Sequence, residues 1–485
     1  MSHGLSFAAG PDGERSTTPT GRGVVADALG AVDPVGARAA QNETAWRSRY
    51  LQHYRRLIEA GVDTPQAWLA LADAGLQSVH ERMVVVHDAG AKAPVSSLLG
   101  ATPRRALTTV EIGGQGSPVE ELVLPYRGRA LRGAELRDRL NRWAASGVLE
   151  PSAVDAVGEV IDHPEWLRLE GVTVAVLGAG AEMGPVGALL GWGATVAAVD
   201  LPRPAIWERV VQRARASAGT LLVPTSIAGS SDPAASAGAD LLTEVPEIAD
   251  WLAGLDGRLI LGNYLYADGG THVRLSVTAD VLALRLMAAR PDAGLAFLAT
   301  PTDVFVVSRD AVEQSTTAYQ SRSRTAKVIG RPLRWVTRGR LMHRAYPPAA
   351  DPGIADALIS AQGPNYALAK RIQRWRAAVA RRDGRTVAFH VAPSTRTHSV
   401  IKSRALAAAF AGARRFGIEV FEPDTANTLM AALLVRDVAG GPVLHDHPWR
   451  DEAHAAVHGG LWRAAYEPRS VLGLAAVLGY AASRQ

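Results

Sequence analysis

Residues 172–177 read VTVAVL, an unbroken apolar run rich in β-branched residues and followed by glycine. A run without polar alternation fits a strand buried on both faces. Comparable runs recur at 195–199, 220–223, 258–262, 295–299, 303–307 and 386–391, with helical apolar spacing between them as far as about residue 435. Strands alternating with helices predict an α/β fold with a doubly wound, mainly parallel sheet. The texture before residue 169 differs. From 42 to 86 the apolar positions follow a helical period (Trp46, Tyr50, Tyr54, Leu57, then Trp68 and Leu71). ALTTVEI and EELVLPYRG, between 101 and 132, alternate poorly but are β-rich, and helices are expected near 134–146 and 152–162. This pattern predicts a mainly helical N-terminal domain over 39–168, an α/β domain over 169–440 and a C-terminal extension over 441–485. Residues 1–38, rich in Gly, Pro, Ala and Ser, are expected to be disordered or to order only on a partner.

The first strand of the α/β part leads into the densest candidate chemistry. VTVAVLGAGAEMGPVGALLGWGATVAAVD runs from Val172 to Asp200. Gly178 permits a tight turn and Gly180 a close backbone approach to a pyrophosphate. The helix that follows would turn free N–H groups toward that phosphate. Gly184 stands beside the usual third glycine position, which is Met183 here, and Gly187 would allow close helix–sheet contact. Asp200 ends the next strand about 20 residues on, where a carboxylate can bond the hydroxyls of an adenosine ribose. The predicted sheet is therefore of Rossmann type and the predicted cofactor NAD or NADP. Asp200 favours NAD by repelling a 2′-phosphate; nearby Arg203 acts in the opposite sense.

In GPNYALAKRI, Tyr366 and Lys370 stand four residues apart, on one face of a helix. An ammonium there can lower a phenol's pKa and hold it as a proton donor to a carbonyl. A half-buried tyrosine beside a solvated lysine would give the same spacing. The order of the flanking pieces resembles the short-chain dehydrogenase/reductase superfamily over about 172–440. The resemblance implies that Asp240 lies near adenine and that Asn263 ends the fourth strand. It puts Thr300 and Thr302 where the family's catalytic serine ends the fifth strand. Tyr366 and Lys370 become the proton donor and its tuning, ribose-binding partner. Pro393, Ser394 and Thr397, in VAPSTRT, become the loop over nicotinamide. The sequence departs from the family in its glycine spacing, in having no serine at the usual distance before Tyr366, and in a long insertion at about 308–362. The implied activity is NAD(P)-dependent oxidation or reduction of a carbonyl or alcohol substrate. The rival is a dinucleotide-binding regulatory or scaffold protein without turnover.

Composition narrows the remaining choices. The 485 residues include no cysteine, which excludes disulfides, thiolate catalysis and cysteine-held metals. The net charge is +5, from 52 Lys and Arg against 47 Asp and Glu, with only four lysines. No aromatic-interleaved basic motif suggests nucleic acid. The insertion is a different matter: Arg322, Arg324, Lys327, Arg331, Arg334, Arg338, Arg340 and Arg344 fall in a stretch, 314–350, that holds no acid. Such a block suits an acidic or lipid-like substrate, or peripheral contact with an anionic membrane. A solvated loop is the plain alternative. HDHPWRDEAHAAVH, from 445 to 458, holds four histidines but no matched carboxylate motif, so capping or substrate-lining roles are expected and no metal. His390, inside a strand, reads as core. The N-terminus has no secretory signal and the apolar run 471–482 is too short to span a bilayer, so a cytoplasmic location is expected.

Overall fold

The computed structural model describes residues 4–10, 13–87, 90–227, 232–322 and 341–482. Its centre is a sheet of seven strands: β1 (Thr108–Gly113), β2 (Val172–Leu177), β3 (Thr195–Val199), β4 (Thr220–Thr225), β5 (Arg258–Asn263), β6 (Gly294–Ala299) and β7 (Val387–Val391). Their spatial order is β7-β6-β5-β2-β3-β4-β1. All pairings are parallel except β1 with β4. The chain winds outward from β2 to β4, crosses back to β5, and winds outward again to β7. The order thus reverses between β2 and β5, where open α/β sheets form a crevice beyond the carboxyl ends of their strands.

The strand sequences explain the layering. Ala175, Leu177, Leu261 and Phe297 pack into one core, while Val174, Val176, Ile260 and Ala296 pack into another on the opposite face. Both faces are covered, so the strands need no polar alternation. The first face carries α4 (Gly270–Ala289) and α5 (Gly363–Arg382). Outside α5 lies a further helical layer: α1 (Thr17–Gly30), α2 (Trp46–Gly61) and α3 (Pro65–Arg82). The second face carries α7 (Pro423–Ala439), with the helices Gly133–Ala145 and Pro151–Asp162 beyond it. A separate pair, α6 (Arg404–Ala413) and α8 (Pro468–Ala482), packs mainly on itself.

Four sequence expectations change. Residues 1–38 are not a tail: Gly4–Phe7 pairs with Met83–Val86, and α1 buries Val24, Val25, Ala28 and Leu29 completely. Its glycine and alanine content reflects close packing on α3 rather than disorder. β1, placed in the N-terminal domain by the sequence pattern, instead extends the main sheet along β4. The strand expected at 303–307 forms as Val304–Val307 but pairs antiparallel with Gly353–Asp356, outside the main sheet. The C-terminal extension is built into the body, with Trp462 fully buried against Phe305 and Val457 bonded to Val391. The centre of the basic insertion, 323–340, with Arg324, Lys327, Arg331, Arg334, Arg338 and Arg340, lies outside the described residues.

Candidate functional site

Two clusters lie at the carboxyl ends of the strands, on either side of the order reversal. The first is the glycine turn after β2. Gly178 has φ +83°, which only glycine adopts without strain, and an added Cβ would lie 3.2 Å from the Tyr264 carbonyl. Its N–H donates to Val199 at 2.9 Å. The Gly180 N–H donates to Asp200 Oδ2 at 2.8 Å, and the Leu201 N–H to Asp200 Oδ1 at 2.7 Å. A Cβ on Gly180 would sit 2.6 Å from an Ile206 methyl. The Gly184 N–H donates to Asn427 Oδ1 at 3.0 Å, while Asn427 Nδ2 donates to the Glu182 carbonyl at 2.8 Å. Asn427 belongs to α7, so the second-face helix pins this loop. Gly187 does not serve helix–sheet contact as expected, since its neighbour is the Arg213 side chain at 3.2 Å. The helix that follows, Val186–Trp192, has only seven residues.

The remaining expected cofactor contacts surround this turn. Arg203 is exposed, at the start of the helix Pro204–Arg215. Asp240 shapes its own turn by accepting from Leu242 N–H at 2.9 Å, one residue after Ala239 bonds the Asp200 carbonyl at 3.0 Å. Asn263 is buried at the end of β5 and accepts from Leu265 N–H at 3.3 Å. Pro393 and Ser394 are buried after β7, and Thr397 begins a short helix, His398–Lys402. His398 closes this segment onto the glycine loop. Its N–H donates to Glu182 Oε2 at 2.8 Å, and its Nδ1 lies 2.9 Å from Oε1. For a pyrophosphate the fit is mixed. The glycine geometry and Asp200 suit a dinucleotide. Glu182 puts a carboxylate in the same loop, and that charge must stay on His398 for a phosphate to approach.

The second cluster sits at the end of β6. Thr300 and Thr302 face each other with Oγ1 atoms 2.8 Å apart, and Gln362 Nε2 donates to Thr302 at 2.6 Å. Tyr366 stands in the first turn of α5, near Thr300. Burial raises its phenol to about 12, and the Thr300 hydroxyl acts in the opposite sense. Lys370 lies one turn on. Its ammonium donates to the Leu298 carbonyl at 3.0 Å and to Gln373 at 3.2 Å, and burial lowers it to about 8. The Tyr366 phenol is shifted by burial, Thr300, Tyr266 and Asp303; the lysine is bonded elsewhere. The Tyr366 ring also packs 5.3 Å from His272 and 6.4 Å from Tyr266. Tyr266 lies in the loop after β5, and Leu265 of that loop lies beside Gly178. The two clusters are thus joined through the order reversal.

Several residues at the site escaped the sequence reading. His272, in the first turn of α4, is buried, and burial lowers it to about 3. Neither ring nitrogen makes a hydrogen bond of good geometry. Gln362, Gln373 and Asn427 were also missed, because amides carry no spacing signal. Glu182 was visible as an acid inside the glycine loop. The histidines of 445–458 act as structural groups. His447 caps the helix Pro448–Ala453, His445 pairs with Asp451 at 2.9 Å and His458 with Glu150 at 2.9 Å. His390 is buried 3.2 Å from Asp437. Among the described residues no group of three His, Asp or Glu side chains could hold a metal ion. No described helix is long and apolar enough to cross a membrane.

No family model matches the chain, and no curated protein matches it. A solved thiolation-reductase di-domain from an archaeal non-ribosomal peptide synthetase is similar over 58% of this chain and 55% of that one, with 10% identity and a TM-score of 0.29. The chain thus spans about half the length of that structure, and the likeness is too slight to bear on function.

Proposed function

We propose that the protein is an NAD(P)-dependent oxidoreductase of atypical short-chain dehydrogenase/reductase type, acting on a carbonyl or alcohol substrate. The observation that carries this reading is the Gly178–Asp200 turn at the order reversal, where the Gly180 N–H is held by Asp200, with Thr300 and Tyr366 at the end of β6 and the start of α5 across from it. Strand order β4-β3-β2-β5-β6-β7 is that of dinucleotide-binding Rossmann sheets. Gly178, Gly180 and Gly184 would line the pyrophosphate, Asp200 would bond the adenosine ribose, and Arg203 stands free to approach it. Asp240 would lie near adenine, Asn263 ends β5, and Pro393 and Thr397 would cover the nicotinamide. When bound, the nicotinamide supplies or accepts the hydride. In the reducing direction Tyr366, protonated at neutral pH because burial holds it near 12, donates its proton to the carbonyl oxygen. Thr300 and Thr302, whose hydroxyls pair with each other, would polarise the carbonyl. Lys370 holds the Leu298 carbonyl and Gln373 and offers its charge to the ribose.

The test is a titration of the purified protein with NADH and NADPH, followed by nicotinamide fluorescence, and then turnover on a carbonyl panel. Tyr366→Phe is expected to lower kcat by about 100-fold or more with dinucleotide affinity unchanged. Full turnover in that variant would remove the proton-donor role, and failure of both dinucleotides to bind would remove the reading.

A second reading, a dinucleotide-responsive protein without turnover, has its own support. Glu182 is held in the glycine loop by His398, and both Asp200 oxygens already accept backbone N–H groups. This reading predicts dinucleotide binding that survives Tyr366→Phe and no turnover in either protein.

A further inference from the structure

The packed pair α6 and α8 stands apart from the layered body. A Cβ on Gly412 would run into the Ala475 carbonyl, and one on Gly479 into the Ala408 carbonyl, so the two helix backbones touch. The base of the pair rests on Met342, Phe416, Tyr466 and Val471. The outer side of α8 is left apolar, with Val477 67% and Tyr480 54% exposed, and Ile401, on the short helix just before α6, is 50% exposed. These are three of the nine large exposed hydrophobics among the described residues, so exposed apolar surface concentrates here.

Its charge is one-sided. Residues 398–418 and 468–482 contain no Asp or Glu but do contain Lys402, Arg404, Arg414, Arg415 and Arg469, in a chain with 47 acidic and 52 basic residues. Lys402, Arg404 and Arg415 are exposed and make no ion pair with a described residue. A 15-residue α8 is about 22 Å long, short of the hydrocarbon thickness of a bilayer. Arg414 and Arg469 are matched by Glu419, Glu467 and Asp356, which leaves Lys402, Arg404 and Arg415 as the surplus charge, and an apolar face beside surplus cations suits the interfacial plane of an anionic membrane. It suits a second copy of itself poorly, because the two cationic rims would repel.

We propose that the α6–α8 pair docks the protein on anionic lipid surfaces, with Ile401, Val477 and Tyr480 entering the interface and Lys402, Arg404 and Arg415 meeting the headgroups. α6 follows directly on the segment that His398 ties to the glycine loop. Docking would therefore bring the candidate site close to the membrane, where a lipid-like substrate would be met.

The experiment is co-sedimentation of the full chain with phosphatidylcholine vesicles, with and without about one third phosphatidylserine. Binding to the anionic vesicles is expected to exceed binding to the neutral ones by about tenfold or more, and to fall by a similar factor in high salt. Val477→Glu with Ile401→Glu, and separately Lys402→Glu with Arg404→Glu, are each expected to weaken binding about tenfold. Melting temperature and NADH titration should stay unchanged in both. No preference for anionic vesicles, binding that survives both pairs of substitutions, or a self-association that Val477→Glu abolishes in place of vesicle binding would each overturn the proposal. The NADH titration is read on the same samples, so failure here leaves the cofactor reading standing.

Discussion

A lysine in water gives up its proton near pH 10.5; Lys370, on α5 and bonded to the Leu298 carbonyl of β6, gives it up near pH 8. Between 8 and 10.5 the unfolded chain therefore binds the proton more often than the folded one, and stability rises with pH across that window. The cost of the buried ammonium is fully present below it. Lys370→Met is expected to remove this rise, on the order of 1–3 kcal/mol, in urea midpoints taken from pH 7.5 to 9.5. Tyr366 and Lys370 were legible as a pair because their spacing fixes a shared helix face. The direction of the ammonium was not, because it depends on the Leu298 carbonyl and Gln373, which no local pattern joins to Lys370. Thr300 was picked out by its place at a strand end, and it does follow β6 directly. His272 was hidden because a lone histidine in an apolar helix looks like any core residue.

The elements were legible where burial was symmetrical. β2, β3, β5, β6 and β7 are mainly apolar, and their ends agree with the sequence expectation to within a residue. Val304–Val307 looked the same but belongs to a two-stranded ribbon, since composition reports burial and says nothing of partners. α5 was the least readable helix. Arg371, Arg374 and Arg376 suggest a solvated face, yet all three are buried and paired with Asp303, Glu452 and Asp280. The layer formed by α1, α2 and α3 makes that burial possible. Its fit is tight at Gly75, where a Cβ would collide with the Trp375 ring. Gly75→Ala is expected to cost about 1–3 kcal/mol in thermal unfolding by forcing Trp375 off its seat.

At the scale of the whole molecule, polar ties cross the boundaries that composition suggested. Asp280 on α4 bonds Arg376 on α5 and, at 2.8 Å, His80 on α3. Removing that carboxylate leaves a buried arginine unpaired, so Asp280→Ala is expected to lose about 3–5 kcal/mol by denaturant unfolding. Acid should weaken the protein in two stages. Burial holds His272 near 3 and His454 near 4, so the unfolded state takes up more protons as pH falls below 6.5 and stability drops. Below about 4 the depressed carboxylates, Asp280 among them at about 2, add a second loss as they protonate. Melting temperature should therefore decline steadily from pH 7 to pH 4.

The shared core of α1, α3 and α5 also has a consequence for synthesis. Val24, Val79 and Leu76 leave the ribosome early, but Trp375 and Leu368, which complete the same core, follow only with α5. At about 5–20 residues per second, the roughly 300 residues from Arg82 to Arg382 take on the order of 15–60 s to translate. For that interval the nascent chain carries a greasy helical surface with no lasting partner, and it is then that a holding chaperone would matter most.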